Sequence, residues 1–310
     1  MARVLITGGT GLVGTAVKNL LLQKGYEVVL LTRSTLSKEG YAHWDINAGT
    51  IDATAIAGAD YIIHLAGAGV ADKRWSVARK QEILDSRTKS SALLVKALQE
   101  TPNKVKAVIS ASAIGWYGPD NTNGGNNNIA SQGFVETDPS YPDFLGTTCA
   151  AWEASIEPVT SPGLQKRLVC LRTGIVLSKH GGALKEFLKP LAVRMAAVLG
   201  NGKQMISWID VRDLAKMFVY AIEHENISGS YNAVAPSPVS NKTLTKTLAS
   251  VLYGKFYITT YVPSVVLKIM LGEMSIEVLK STTVSAQKIQ DAGFVFDYPE
   301  ITKSLSSLDL

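Results

Sequence analysis

Residues 7–14 read Thr7-Gly8-Gly9-Thr10-Gly11-Leu12-Val13-Gly14, and residues 2–7 have the composition of a buried strand. Gly8 permits a tight exit from that strand, and Gly11 lets backbone N–H groups approach a pyrophosphate without a Cβ in the way. Gly14 allows the next helix to pack close to the sheet, with its positive N-terminus towards the phosphates. The spacing predicts a dinucleotide-binding turn.

The surroundings of these glycines favour the same interpretation. Residues 20–22 are apolar in a predicted helix that ends at Gly25, and residues 28–32 have strand composition. The glycines therefore lie in a βαβ frame, which is the context that a dinucleotide site requires. An ordinary glycine-rich loop between a strand and a helix is the alternative that the pattern leaves open.

The end of the second strand, Thr32-Arg33, bears on the form of the nucleotide. NAD sites usually carry Asp or Glu at this place for the ribose 2′-hydroxyl, whereas Arg accommodates the 2′-phosphate of NADP. No acidic residue occurs between Glu27 and Glu39. A guanidinium offers paired hydrogen bonds to phosphate and stays charged at working pH. The sequence therefore favours NADP over NAD, with a solvated arginine as the alternative.

The composition indicates a folded globular protein. The chain has 310 residues, 46% hydrophobic and 18% charged, which is enough for one large α/β domain and a smaller one. The net charge of +5 comes from scattered basic residues, so we expect no nucleic-acid partner. Cys149 and Cys170 are the only cysteines, which is consistent with the reducing cytoplasm. We expect a cytoplasmic protein with a small-molecule substrate, present as a monomer or homodimer.

Apolar segments are too short to predict a membrane partner. The best candidates, residues 188–199 and 261–271, fall short of the roughly 18–20 residues that a membrane helix needs, and they carry Arg194 and Lys268. The first strand follows residues 1–3 directly, so we also expect no signal peptide.

Strand and helix patterns alternate beyond the first turn. The predicted strands are residues 61–67, 105–112 and 167–176, and the predicted helices are residues 77–98 and 143–157. This alternation predicts an α/β fold with a right-handed, doubly wound parallel (Rossmann) sheet. Residues 119–133 have turn composition and form either an excursion near the mouth of the site or a surface loop with no role.

Several short motifs together resemble one family. They are Gly8-x-x-Gly11-x-x-Gly14, His64-Leu65-Ala66-Gly67, Arg74-Trp75, Ser86-Arg87, Ser112-Ala113-Ile114-Gly115-Trp116-Tyr117-Gly118 and Arg172-Thr173-Gly174. The chain resembles the extended short-chain dehydrogenase/reductases, and more narrowly their atypical epimerase-like branch in the NAD-dependent epimerase/dehydratase superfamily. Leu271-Gly272-Glu273-Met274 and Ala292-Gly293-Phe294 are similar to the conserved C-terminal tail domain of that branch.

The resemblance implies a domain division and a set of site residues. Residues 1–176 plus 207–235 would form the NADP-binding Rossmann domain, and residues 177–206 plus 236–310 a smaller, helix-rich substrate domain. Ser112 corresponds to the catalytic serine of the superfamily. The implied cofactor-binding residues are Gly8, Thr10, Gly11, Leu12, Val13, Gly14, Thr32, Arg33, Leu65, Ala66, Gly67, Glu82, Arg87 and Val176.

The acid–base pair of the superfamily, Tyr-x-x-x-Lys, has no counterpart here. None of the 11 tyrosines has a lysine four residues later, and aligning Glu153 with the family's helix glutamate puts Leu145 and Cys149 at the two positions. Leu145 has no proton to exchange, and a neutral thiol cannot lower the pKa of a phenol. Arg87 stands where the family usually has an asparagine and restores a positive charge, with Glu82 either reaching the cofactor or orienting Arg87. Both residues are alternatively exposed helix charges.

Other chemistry receives little support from the sequence. Tyr117 and Tyr141 are conceivable substitute acids or simply packed rings, and Cys149 lacks the neighbouring base that a reactive thiolate needs. His43, His64, His180 and His224 show no metal-ligand spacing, so we expect no metal and regard each histidine as structural or solvated.

Two functions remain open. In the first, the protein is an NADP(H)-dependent oxidoreductase or epimerase that passes hydride to or from a small polar substrate over Ser112. A nucleotide sugar is the superfamily's analogy for that substrate, because fold does not determine substrate. In the second, the protein binds NADP(H) without turnover and acts as a sensor or interaction partner, a role that would suit relatives associated with cell division. The lost Tyr and Lys favour the second function, and the retained Ser112 with a second domain favours the first.

Overall fold

The computed structural model describes residues 1–34, 38–120 and 133–308. The strands are β1 (Arg3–Thr7), β2 (Glu27–Thr32), β3 (Tyr41–Asp45), β4 (Thr50–Ile51), β5 (Tyr61–His64), β6 (Ala107–Ala113), β7 (Arg167–Thr173), β8 (Ile175–Ser178), β9 (Gly181–Gly182), β10 (Met195–Leu199), β11 (Met205–Ile206), β12 (Trp208–Asp210), β13 (Gly229–Ala233), β14 (Val239–Ser240) and β15 (Ile258–Val262). The helices are α1 (Leu12–Gln23), α2 (Ala53–Gly58), α3 (Val77–Glu100), α4 (Phe144–Ile156), α5 (Ala183–Leu191), α6 (Val211–Glu223), α7 (Asn241–Tyr253), α8 (Ser264–Leu271), α9 (Ser275–Leu279), α10 (Gln287–Asp291) and α11 (Ile301–Ser306).

A large sheet with the strand order β13-β7-β6-β5-β1-β2-β3-β4 forms the centre of the protein. Its neighbouring strands are parallel except for the short terminal pair β3 and β4. Chain order reverses at β1, so crossover helices cover both faces, as a doubly wound sheet requires. The predicted α/β fold with a parallel Rossmann sheet is confirmed.

Two apolar cores lie on the two faces of this sheet. Successive residues of β6 point to opposite sides: Ile109 packs with residues of α1 and α6, and Val108 with residues of α2, α3 and α4. Because both faces are buried, the strands are nearly continuous apolar runs, which is why the sequence pattern shows them so clearly.

The prediction of a single strand over residues 167–176 is wrong. The chain leaves the large sheet after Thr173, and β8 pairs in parallel with β12 and antiparallel with β9 in a separate small sheet. Gly174 makes the break possible, because a Cβ at this position would lie 2.5 Å from the carbonyl oxygen of Ser207. Val176 therefore belongs to the small sheet.

A third core joins the smaller elements. It contains apolar residues of α5, α7 and α11 around the fully buried Trp208. The tail contributes elsewhere as well, since Val284, Ile289 and Phe294 pack with α6 in the core of the large sheet. The C-terminal region is helix-rich as expected, while the domain boundaries at residues 176, 207 and 235 stay a prediction.

Two sequence expectations concern segments outside these cores. Most of the predicted loop 119–133, namely residues 121–132, lies outside the described residues. Among the helices that the structure describes, none has the length and apolar character needed to cross a bilayer.

Candidate functional site

The glycine turn between β1 and α1 has the geometry that the spacing predicts. Gly8 has a φ of +67°, and its carbonyl oxygen accepts a hydrogen bond of 3.1 Å from the Gly11 N–H. A Cβ at Gly14 would overlap the Gly8 oxygen and the Gly9 Cα, so the helix can start this close to the turn only with glycine. Gly11 caps α1 without a side-chain bond, which leaves first-turn N–H groups available to an anion.

The loop after β5 lies against this turn. A Cβ at Gly8 would come within 2.8 Å of the Leu65 carbonyl group. The Thr7 hydroxyl oxygen accepts hydrogen bonds from the N–H groups of Leu65 (3.0 Å) and Ala66 (3.1 Å). Gly67 follows and is exposed. The ends of β1 and β5 therefore form one continuous rim with the glycine turn.

Thr32 and Arg33 lie at the carboxyl end of the neighbouring strand β2. The Thr32 hydroxyl accepts a hydrogen bond from the Ser34 N–H, and the Arg33 side chain is exposed. Because β2, β1 and β5 are adjacent and parallel, their carboxyl ends share one edge of the sheet. The structure thus brings the predicted residues of all three strands together at that edge.

The hairpin of β8 and β9, which contains Val176, lies against Leu12 at the start of α1. A Cβ at Gly182, in the β8–β9 hairpin, would lie 3.1 Å from Leu12 Cδ2, so the hairpin passes over the first turn of the helix. Val13 and Val176 pack partly buried against the adjacent core, whereas Thr10 is exposed at the turn.

Arg87 places a guanidinium beside the loop after β5. Its Nη1 donates to the carbonyl oxygens of Ala68 (3.0 Å) and Ile83 (2.9 Å), and its Cζ lies 4.9 Å from the centre of the Trp152 ring. Burial lowers the pKa of this guanidinium, but an arginine side chain is not deprotonated in proteins, so the group remains a cation. A positive charge from α3 therefore lies beside the loop after β5.

Glu82 forms an ion pair with Arg79, three residues earlier on α3. Its carboxylate accepts a 2.7 Å hydrogen bond from Arg79, and this contact lowers the pKa of Glu82. Arg79 is nearly buried and also donates to the carbonyl oxygen of Gly69. Glu82 therefore binds Arg79 rather than orienting Arg87 directly.

Ser112 lies at the end of β6 in a buried polar network. Its hydroxyl donates a 2.6 Å hydrogen bond to Glu153, whose carboxylate also accepts two bonds from Arg172 and one from Ser230. Glu153 comes from α4 and Arg172 from β7, so three elements meet at this carboxylate. The sequence placed Ser112 and Glu153 in family motifs but did not show that they bond to each other.

Tyr117 belongs to the same network and is a poor acid. Its hydroxyl donates to Asn232 (2.7 Å) and accepts from Arg172 (3.1 Å). Burial raises the pKa of Tyr117 to about 12. Tyr117 is therefore a packed structural ring, one of the two possibilities that the sequence left open. The other tyrosine considered, Tyr141, is bonded to Trp116 through the backbone: its N–H donates to the Trp116 carbonyl oxygen.

The two positions of the lost acid–base pair adjoin the end of β6. A Cβ at Gly115 would lie 3.1 Å from Leu145 Cβ and 3.6 Å from the Cys149 sulfur. Burial raises the pKa of the Cys149 thiol to about 12, so the thiol stays neutral. Neither side chain can exchange a proton near neutral pH. Within the described ranges, no cluster of metal-ligating side chains is present either.

Comparison with known proteins agrees with the fold and the family resemblance. Residues 4–233 match the model of the NAD dependent epimerase/dehydratase family, and residues 262–308 match a domain of unknown function, DUF1731. The chain is 30% identical to the human epimerase family protein SDR39U1 and 32% identical to the epimerase family protein SAR0825 of Staphylococcus aureus (strain MRSA252), over 99% of both chains in each case. The crystal structure of human SDR39U1 (isoform 2) with NADPH superposes with a TM-score of 0.86 at 29% identity, covering 99% of this chain and 100% of that chain.

Proposed function

We propose that this chain, which belongs to the NAD dependent epimerase/dehydratase family and its atypical epimerase-like branch, is an NADP(H)-dependent oxidoreductase acting on a small polar substrate. The observation that carries the proposal is the glycine cradle at the start of α1. Its free N–H groups and missing Cβ atoms suit a diphosphate, and any side chain at Gly8 or Gly14 would fill the space. These residues fit a nicotinamide dinucleotide.

Arg33 supports NADP rather than NAD. Its exposed guanidinium follows β2, where the 2′-phosphate of NADP is held in dinucleotide folds, and acidic residues are absent from the sequence between Glu27 and Glu39. The human relative was crystallised with NADPH, which is consistent with this choice.

The remaining predicted residues would contact the other parts of the cofactor. Gly8, Gly11 and Gly14 would hold the diphosphate, with Thr10, Leu12 and Val13 completing the turn. The rim Leu65-Ala66-Gly67 and the Arg87 cation would face the nicotinamide side. Further cofactor contacts are proposed for Thr32, Glu82 and Val176.

The bound cofactor would supply or accept hydride, and the protein would have to manage the proton. Ser112 is the retained residue of the superfamily's catalytic group, but its hydrogen is donated to Glu153, so its oxygen faces a substrate as an acceptor. A substrate with its own hydroxyl donor suits this arrangement. Nucleotide sugars have such hydroxyls, and they are the superfamily's analogy for the substrate class.

A second function, NADP(H) binding without turnover, is favoured by one specific observation. Leu145 and the neutral Cys149 occupy the two acid–base positions, and neither can transfer a proton. A sensor or interaction protein would need the cofactor cradle but not the proton donor.

An isotope experiment separates these two functions. The protein is incubated with 4-deuterated NADPH and pooled metabolites, and mass spectrometry searches the products for deuterium. Deuterium in a product supports the oxidoreductase, whereas NADPH binding without transfer across a broad pool supports the non-catalytic function. The Gly14→Ala variant is the matched control, because it should lose the cofactor and hence any transfer.

A further inference from the structure

His64 is a fully buried histidine between two cofactor-facing elements. It is the last residue of β5, aligned with Thr7, the last residue of β1, in the parallel register. Its Nδ1 lies 2.7 Å from the Thr7 hydroxyl oxygen. Its Nε2 lies 3.1 Å from the Ser91 hydroxyl oxygen of α3 and 3.4 Å from that of Ser90. The imidazole therefore connects β1, β5 and α3 at the edge of the sheet.

The direction of each hydrogen bond follows from counting the donors and acceptors on Thr7, His64 and Ser91. The Thr7 hydroxyl oxygen already accepts from the N–H groups of Leu65 and Ala66, so its own hydrogen is donated to His64 Nδ1. Nδ1 is then an acceptor, and the proton of the neutral ring lies on Nε2. Nε2–H donates to Ser91, which donates in turn to the Arg87 carbonyl oxygen at 2.9 Å.

The chain of bonds holds both ends of the loop after β5. Thr7 binds the N–H groups of Leu65 and Ala66, and the Arg87 guanidinium binds the Ala68 carbonyl oxygen. The backbone of Arg87 is fixed at the same time by Ser91. These bonds share His64 and the backbone of Arg87, so they set the loop and the cation in place together.

We propose that His64 is a positioning residue, which through Thr7 and Ser91 holds residues 65–68 and Arg87 in the conformation that receives the cofactor. This inference rests on the proposed binding of NADP(H). It gives His64 a role that the sequence did not distinguish from that of any buried histidine.

Conservative variants of the two hydroxyl partners test the role in cofactor binding. Thr7→Val keeps the shape but removes the hydroxyl, and we expect the affinity for NADPH to fall about tenfold or more. The reason is that the Ala66 N–H loses its acceptor, while the Leu65 N–H keeps only its bond to the Thr7 carbonyl oxygen. Thr7→Ser should restore the affinity. Ser91→Ala and Ser91→Thr form a second pair with a smaller change in the same direction, which remains informative if Thr7→Val folds poorly.

Thr245→Val is the matched control. Thr245 is a buried threonine of α7 whose hydroxyl has no hydrogen-bond partner in the described part of the chain. Its substitution should leave the affinity for NADPH unchanged. An unchanged affinity in Thr7→Val and Ser91→Ala as well would overturn the positioning role, even if both variants are less stable.

Nitrogen-15 NMR of histidine-labelled protein tests the bond directions without any ligand. We expect the His64 signals of the neutral Nε2–H tautomer, with Nδ1 unprotonated, between pH 5 and 8. Nδ1 protonation, or a charged ring in that range, would overturn the inference. Wild-type protein that binds no NADPH would instead refute the proposed function, whatever the tautomer, so the two failures are distinguishable.

Discussion

The Ser112 hydroxyl lies 2.6 Å from the Glu153 carboxylate and donates its only hydrogen to it. Ser112 is also buried, with 2% of its surface exposed. A hydroxyl in this state can accept a hydrogen bond from a substrate but cannot donate one until Glu153 releases it. The geometry therefore restricts what the predicted catalytic serine can do.

Ser112→Ala separates this chemical role from cofactor binding. We expect the affinity for NADPH to stay within about twofold, and the free energy of unfolding to fall by about 1–3 kcal/mol, because Glu153 loses one charge-assisted bond. Any deuterium transfer found with labelled NADPH should be abolished. Isothermal calorimetry, chemical denaturation and the transfer assay measure these three quantities. Full transfer by Ser112→Ala would show that Ser112 is not catalytic, and Ser110→Ala on the same strand is the control.

Glu153→Gln should be among the most destabilising single substitutions at the site. The Arg172 guanidinium is 4% exposed and depends on Glu153 for its charge partner. Burial alone would lower the pKa of Arg172, but its hydrogen bonds and charge interactions with Glu153 and Tyr117 outweigh burial and raise that pKa. Removing the carboxylate leaves a buried cation, which costs about 3–5 kcal/mol of unfolding free energy. Glu157→Gln, at an exposed position just after α4, should change stability by less than about 0.5 kcal/mol in the same denaturation experiment. Equal losses for the two variants would contradict the assigned ion pair.

Gly14→Ala tests the glycine cradle. An added Cβ would overlap backbone atoms of Gly8 and Gly9, so the turn must shift away from its present geometry. We expect NADPH binding to be lost and the melting temperature to fall. Gly163→Ala is the matched control, because no atom lies within 4 Å of a Cβ there. If Gly14→Ala bound NADPH as tightly as the control, the cradle would not be the diphosphate site.

Local sequence was sufficient to predict the cradle but not the networks behind it. Glycine spacing at Gly8 and Gly14 reflects a backbone requirement that is met within a few residues. The bond from Ser112 to Glu153 joins residues 41 positions apart and exists only after β6 and α4 are packed. The same holds at Gly174, where strand composition continues but the approach of a distant carbonyl group ends the strand. Contacts between residues far apart in the sequence therefore determine the hydrogen bond of Ser112 and the end of the strand at Gly174, and local residue patterns cannot predict either.

Arg33→Ala should distinguish the two nicotinamide nucleotides. Loss of a guanidinium–phosphate contact should weaken NADPH about 10- to 100-fold and NADH by less than about twofold, since only NADPH has the 2′-phosphate. Fluorescence titration with both nucleotides measures the ratio. An equal loss for NADPH and NADH would reject Arg33 as the phosphate ligand. Arg74→Ala, another exposed arginine but on the loop before α3, serves as the control for a general loss of positive charge.

His64 should contribute a measurable dependence of stability on pH. Burial lowers the pKa of His64 from 6.5 to about 3, so between these values the unfolded chain binds a proton that the folded protein does not. The neutral ring's contribution is fully present above pH 6.5 and is lost as the pH falls towards 3, at about 1.4 kcal/mol per pH unit. Carboxylates titrate in the same range, so the useful quantity is the difference in unfolding free energy between wild-type protein and His64→Gln. That difference should be constant above pH 7 and should decrease steadily below pH 6. A difference independent of pH would mean that the pKa of His64 is the same in the folded and unfolded chains. The ring would then become charged in the folded protein, and its Nδ1 could not accept the hydrogen of Thr7.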